Sequence, residues 1–200
     1  MGRPRAFDRD AALDRALAEF WRYGYQATSI ASLTAAMGVR PPSLYAAFGD
    51  KRRLFGEAVA HYQETHGAFT ARALAEEPTA RAAIERLLRE AAVNYADPAH
   101  PPGCMIISAA TNCGPESADV VAELRDIRER SKQALVTRIR QDAGAGRLPA
   151  GTDAEALGAF YAAVIQGLSR QAQDGASAAE LDAIVTLAMA AWPAAAEPAG

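Results

Sequence analysis

Cysteine is scarce in this sequence: Cys104 and Cys113 are the only two in 200 residues. Two cysteines make no disulfide framework, and their separation fits no common zinc spacing. Histidine is also rare, with His61, His66 and His100 scattered along the chain. No His-Glu-x-x-His pattern, no phosphate-binding glycine loop and no nucleophile with an adjacent base motif is present, which argues against an enzyme. No cofactor and no metal site is expected. A membrane-length apolar run is missing too. The longest uncharged stretch, residues 98–115, is broken by Pro98, Pro101, Pro102, Gly103, Gly114 and Pro115, so it cannot form a spanning helix. The start, Met-Gly-Arg-Pro-Arg, leads into charged residues without the apolar core of a secretory signal. The reading is a soluble, cytoplasmic protein.

What the chain does have is alanine, 49 residues of it, within a composition that is 50% apolar and 22% charged. Alanine is the best helix former. That composition excludes a wholly disordered chain and points to an all-α fold. The charge is unevenly placed. Residues 1–53 carry nine basic and five acidic side chains, a net +4, and the remainder nets −7. A basic head on an acidic body suits contact with nucleic acid, where local positive charge displaces counterions; chance segregation would look the same at this size.

The periodicity gives about nine helical segments and no convincing strand. The first starts at an Asp8 cap and carries Leu13, Ala16, Leu17, Phe20 and Trp21 on one face, ending near Gly24. The second follows Thr28-Ser29, buries Ile30, Leu33 and Met37, and ends at Gly38. The third runs from Pro42 to Phe48, where early prolines are tolerated. A long fourth, capped by Asp50, is predicted from Lys51 to Ala75. Further helices are predicted over Thr79–Tyr95, Cys104–Asn112, from Ser117 to Ala143, from Asp153, and from Ser177 to Trp192. This divides the chain into a basic head at 1–53, a helical body at 54–193 and a disordered tail at 194–200.

The second and third segments form two short helices joined by a turn containing Gly38, the shape of a helix-turn-helix or of a generic helical hairpin. Ile30, Leu33, Met37, Val39, Leu44 and Phe48 can lock the pair, leaving Arg40, Pro41, Pro42, Ser43 and Tyr45 outward. A helix that short fits a major groove, where the base edges can be told apart.

Residues 7–55 resemble the DNA-binding domain of the tetracycline-repressor-like (TetR) family of bacterial regulators. The matching pieces are Ala11 and Leu13, Phe20, Gly24-Tyr25 with Thr28-Ser29-Ile30, Met37-Gly38-Val39, and Ser43-Leu44-Tyr45 with Phe48-Gly49-Asp50-Lys51 and Leu54-Phe55. The resemblance implies an all-α homodimer. An N-terminal three-helix domain would bind a near-palindromic double-stranded DNA operator, and a C-terminal domain would bind a small effector and dimerise. It further implies that Thr28 and Ser29 meet a phosphate at the second helix start, that Tyr45 and Lys51 contact phosphates, and that Arg40, Pro41, Pro42 and Ser43 read bases. Arg40 is the candidate for a bidentate contact to guanine. The family often has Ser or Thr where Arg40 stands, and two prolines there also depart from its pattern. Ahead of the domain, Arg3 and Arg5 suit a narrow minor groove or serve only solubility. These features predict a transcriptional regulator, a repressor released from its operator by a small molecule.

The later half, including Gly103-Cys104-Met105-Ile106, Ala110-Thr111-Asn112 and Gln166-Gly167-Leu168-Ser169, looks like a C-terminal domain of one branch of these regulators. The family's pocket gives Tyr62, Phe69, Tyr95, Met105, Asn112, Tyr161 and Gln166 as candidate effector contacts. Its dimerising helices give Leu157, Phe160, Val164 and Leu168 with Leu181, Ile184, Val185, Ala188 and Trp192; these stripes could equally face the subunit's own core. Cys104 and Cys113, with His100 nearby in sequence, leave open a thiol- or metal-responsive regulator of the same fold, against buried cysteines that act as small hydrophobes.

Overall fold

The computed structural model describes residues 8–194, so Arg3 and Arg5 and the end of the tail lie outside the described residues. Every regular element among them is helical. The α-helices, in chain order, are α1 (Arg9–Ala27), α2 (Ile30–Met37), α3 (Pro41–Phe48), α4 (Lys51–Glu64), α5 (Phe69–Glu76), α6 (Ala80–Tyr95), α7 (Met105–Ser108), α8 (Ala118–Gly144), α9 (Ala154–Gln173) and α10 (Ala178–Ala190). A single 3-10 turn, Pro115–Ser117, leads into α8. The chain divides into two compact units, one reaching Gly67 and adding Cys104–Leu124, the other holding Ala68–Gly103 and everything from Arg125 onward.

In the first unit, the caps expected from sequence set the helix starts. Asp8 accepts hydrogen bonds from the N–H groups of Asp10 and Ala11, and Asp50 accepts from that of Arg53. Ser29 closes a reciprocal box with Ser32 at the start of α2. The buried side of α1 holds Leu13, Ala16, Leu17, Phe20 and Trp21. Leu33 and Met37 of α2 and Leu54, Phe55, Ala58, Val59 and Tyr62 of α4 pack against it, while Leu44 and Phe48 of α3 are buried where α3 meets α2 and α4. Gly38 turns α2 into α3 in the left-handed region, φ 68°. Its N–H donates to the carbonyls of Thr34 and Ala35, which closes the end of α2.

Two expected helices are shorter than the periodicity suggests. The helix predicted from Lys51 to Ala75 stops at Glu64, where the Gly67 N–H folds back onto the Tyr62 carbonyl at 2.8 Å. A Cβ on Gly67 would lie 3.2 Å from the Tyr62 ring, a tight contact that a larger residue would have to relieve by a small shift. Of the segment Cys104–Asn112, only Met105–Ser108 is α-helical. Ser108 and Thr111 donate their hydroxyls to the carbonyls of Cys104 and Ser108, a local alternative to continued helix.

The second unit is built around α6. Its buried row is Ala80, Ala83, Ile84, Leu87, Leu88, Ala91, Ala92 and Tyr95, which packs on α5, α9 and α10. Asp142 is buried but fully engaged: it accepts from the Ala80 N–H at 2.6 Å and pairs with Arg138 and Arg147. A buried carboxylate held this way avoids the large cost of an unpaired charge. Asp153 and Ser177 cap α9 and α10 where their sequence positions predicted, and Thr79 caps α6; Ser117, expected to cap the long helix α8, instead lies in the 3-10 turn before it and donates its hydroxyl to Gln26. Among the described residues no helix is long and apolar enough to cross a membrane.

Candidate nucleic-acid interface

The third helix gives the first unit its distinctive face. Leu44 and Phe48 point into the core, which leaves Arg40, Pro41, Pro42 and Tyr45 exposed and Ser43 half-buried. Arg40 occupies the N-cap position without a side-chain cap bond; Pro41 and Pro42 follow in the first turn. Pro41 and Pro42 also lack N–H groups, so they remove two donors that would otherwise be unpaired at the helix start. The guanidinium of Arg40 carries donors only and could not cap the helix start in any case. Arg9 braces the other end of the helix. Its guanidinium lies 4.4 Å from the Phe48 ring centroid and pairs with Glu57 at 2.6 Å.

Thr28 and Ser29 behave differently from each other. Thr28 is buried, and its hydroxyl donates to the Gly24 carbonyl at 2.7 Å. Ser29 is exposed at the N-cap of α2. Lys51 starts α4. Its ammonium donates to the Gln26 carbonyl at 3.5 Å and sits 4.3 Å from the centroid of the Tyr25 ring. Burial lowers its pKa below that of a free lysine, with the Cys113 thiol acting in the opposite direction. The Lys51-Arg52-Arg53 run therefore splits three ways. Arg52 pairs with Asp119 and Glu123, whereas Arg53 is exposed beside a groove between α3 and α4 lined by Tyr45, Phe48, Gly49 and Glu57. Arg53 is a cation that the motif reading passed over. The basic run was visible, but which members keep a free charge depends on partners distant in sequence.

The other candidates fall as follows. In the first unit Tyr62 and Met105 are buried and Asn112 is exposed. In the second, Phe69 and Tyr95 form an edge-on ring pair at 6.2 Å, and Gln166 is exposed. Tyr161 is buried there, donates to the Ala188 carbonyl at 3.2 Å, and has its pKa pushed up to about 12 by burial. On α9 and α10, Leu168, Leu181, Val185 and Ala188 pack into the unit's own core. Leu157, Val164 and Trp192 are half-buried, and Phe160 and Ile184 are exposed. Leu187, 75% exposed, joins that apolar face and was not among the expected residues. Cys104 is buried and Cys113 half-buried, and the two are not joined in a disulfide. Burial pushes the Cys113 thiol up, opposite to the shift that activates a thiolate. Among the described residues, no group of three or more His, Cys, Asp or Glu could hold a metal ion.

Comparison with known proteins agrees with this arrangement. Residues 12–58 match the family described as bacterial regulatory proteins, tetR family, and residues 91–188 match the tetracyclin repressor-like C-terminal domain. The HTH-type transcriptional repressor ComR of Escherichia coli (strain K12) is 34% identical over 96% of this chain and 92% of its own length. The repressor BdcR of the same organism is 30% identical over 94% and 90%. Among solved structures, a cysteine mutant of the TetR family regulator CifR, complexed with 26-bp double-strand operator DNA, superimposes with a TM-score of 0.91 at 46% identity. That alignment covers 96% of this chain and 100% of the CifR chain. An all-helical chain with a helix-turn-helix at α2–α3 and matches in both its N- and C-terminal parts belongs to the TetR family of bacterial transcriptional regulators.

Proposed function

We propose that the protein is a homodimeric, cytoplasmic repressor that binds a near-palindromic DNA operator and leaves it when a small molecule binds its body. The exposed Arg40–Tyr45 face of α3 carries this reading, because it sits in one unit with the Ser29 cap and the Lys51 ammonium. In that reading Arg40, Pro41, Pro42 and Ser43 meet base edges, while Ser29, Tyr45, Lys51 and Arg53 meet phosphates. Arg3 and Arg5 would add a minor-groove arm. Residues 1–53 form the reader and 54–193 the effector-binding and dimerising body. The recognition helices of the two subunits must then lie about 34–36 Å apart to enter successive major grooves. An effector that favours another separation shifts the population off DNA.

The relatives' descriptions as repressors, and the operator bound to CifR, support the same role here. So does the exposed apolar face on α9 and α10, which a second subunit would cover. The test is a mobility shift with the DNA upstream of the protein's own gene. Salt-sensitive retardation of one palindromic segment, reversed by a compound that also raises the melting temperature, is the expected result. Equal retardation of unrelated duplexes at moderate salt contradicts it.

A further inference from the structure

We propose that Tyr25 and Gln26 are positioning residues for the phosphate contact of Lys51, and that the Ala109–Ser117 segment sets where that contact falls. The inference rests on the operator-binding reading above and names a control point within it. A lysine ammonium has three donors on a flexible stem. Here one is aimed at the Gln26 carbonyl, and the charge lies on the Tyr25 ring face at 4.3 Å, within cation–π range. The remaining donor capacity is left for a phosphate. The ring is itself fixed, stacked on Phe20 at 6.2 Å and edge-on to Phe55 at 4.9 Å. The Lys51 charge is therefore placed by the end of α1 as well as by its own helix.

That end of α1 is held from elsewhere in the unit. The backbone leaves helical geometry at Gly24, φ 77°, which turns the next N–H groups outward. The Tyr25 N–H donates to the Ala109 carbonyl at 2.7 Å. The Gln26 side-chain amide donates to Glu116 at 2.6 Å and accepts from the Ser117 hydroxyl at 2.9 Å. Three hydrogen bonds thus tie two consecutive residues to one short segment. The start of α4 is held separately by its Asp50 cap. A shift of the segment would carry the ring and the Gln26 carbonyl away from Lys51 without unfolding α3.

The chain has two lysines, Lys51 and Lys132, so the full-length protein with labelled lysine gives a readable spectrum without DNA. The Lys51 ε-methylene signal should lie upfield of that of Lys132 through the Tyr25 ring current. It should stay there in Tyr25→Phe and move to the Lys132 position in Tyr25→Leu. Glu116→Ala combined with Ser117→Ala should move it partway. On operator DNA, Tyr25→Leu and Lys51→Ala should each weaken binding about tenfold and reduce the salt slope by about 0.9, the value of one lost phosphate contact. The double variant should be no weaker than either single one. A Lys51 signal coincident with that of Lys132 in the wild type, or additive losses in the double variant, overturns the positioning role. A Lys51 signal unmoved by the Glu116 and Ser117 changes overturns the role of the segment. Wild-type protein that prefers no duplex overturns the operator reading instead, and the DNA-free spectrum still decides whether Tyr25 holds Lys51.

Discussion

Arg52 on α4 pairs with Glu123 on α8 at 2.7 Å, and its Nε reaches the neighbouring Asp119. The hydrogen bond from Arg52 holds the Asp119 carboxyl below its ordinary value of 3.8. A depressed carboxylate pKa contributes stability that is present above the ordinary value and is lost as pH falls through the depressed one. Asp119→Asn is therefore expected to be less stable than the wild type at neutral pH. The two denaturation midpoints should converge in acid. A gap unchanged across the acid range would contradict the pairing.

Two glycine substitutions separate backbone strain from crowding. Gly38→Ala places a Cβ in ordinary van der Waals contact, 3.8 Å from an Arg15 nitrogen, but at φ 68°. It should cost about 1–2 kcal/mol through the left-handed backbone alone. Gly158→Ala keeps helical geometry but brings its Cβ 2.5 Å from a Val136 methyl. Overpacking there should cost about 1–3 kcal/mol, reduced by alanine's better helix propensity. Combining Gly158→Ala with Val136→Ala should relieve the second and leave the first untouched, as read from urea denaturation.

Alkaline stability tests the buried phenol. The pKa of Tyr161 is raised from 10.0 to about 12 by burial. A raised value means the group's contribution is complete below pH 10 and is lost as pH climbs through the folded value. Tyr161→Phe removes the hydrogen bond to the Ala188 carbonyl and should lose about 1 kcal/mol at neutral pH. Its midpoint should then fall less steeply than that of the wild type between pH 10 and 12. Parallel decline in both proteins would count against a neutral buried phenol.

The apolar face of α9 and α10 predicts assembly. Phe160, Ile184 and Leu187 are 41%, 38% and 75% exposed. Ile184→Asp or Leu187→Asp would bury a charge at a dimer contact and should weaken association by about 2 kcal/mol or more. Sedimentation should show monomers at concentrations where the wild type is dimeric, with an unchanged helical spectrum. Dimers of unaltered affinity would place the interface elsewhere.

The parts of the fold legible in the sequence were those governed by local chemistry. Asp8, Ser29, Asp50, Thr79, Asp153 and Ser177 each accept a hydrogen bond from the turn they begin, and Gly38 takes a backbone few other residues adopt. The Leu33, Met37, Leu44 and Phe48 part of the lock was legible from spacing, whereas Ile30 and Val39, expected with them, are only half-buried. The break after Glu64 was not legible, because His-Gly-Ala-Phe-Thr continues a helical pattern and the turn is closed by the Gly67 N–H folding back onto the Tyr62 carbonyl. Nor was the inward turn of the Thr28 hydroxyl, which depends on the kink at Gly24. The surroundings of Lys51 were hidden for a similar reason. Tyr25, Cys113 and Lys51 are far apart in the chain, and only the packed unit brings them to one corner.

The most direct test is the affinity of wild type, Arg40→Ala and Lys51→Ala for the selected operator and for a scrambled duplex, across a salt titration. The wild type should prefer the operator by about 10³-fold or more. Arg40→Ala should lose about 1–3 kcal/mol of that preference. Lys51→Ala should weaken both duplexes alike and flatten the salt slope. Equal binding of operator and scrambled DNA by the wild type, or an Arg40→Ala variant with undiminished preference, would contradict the account.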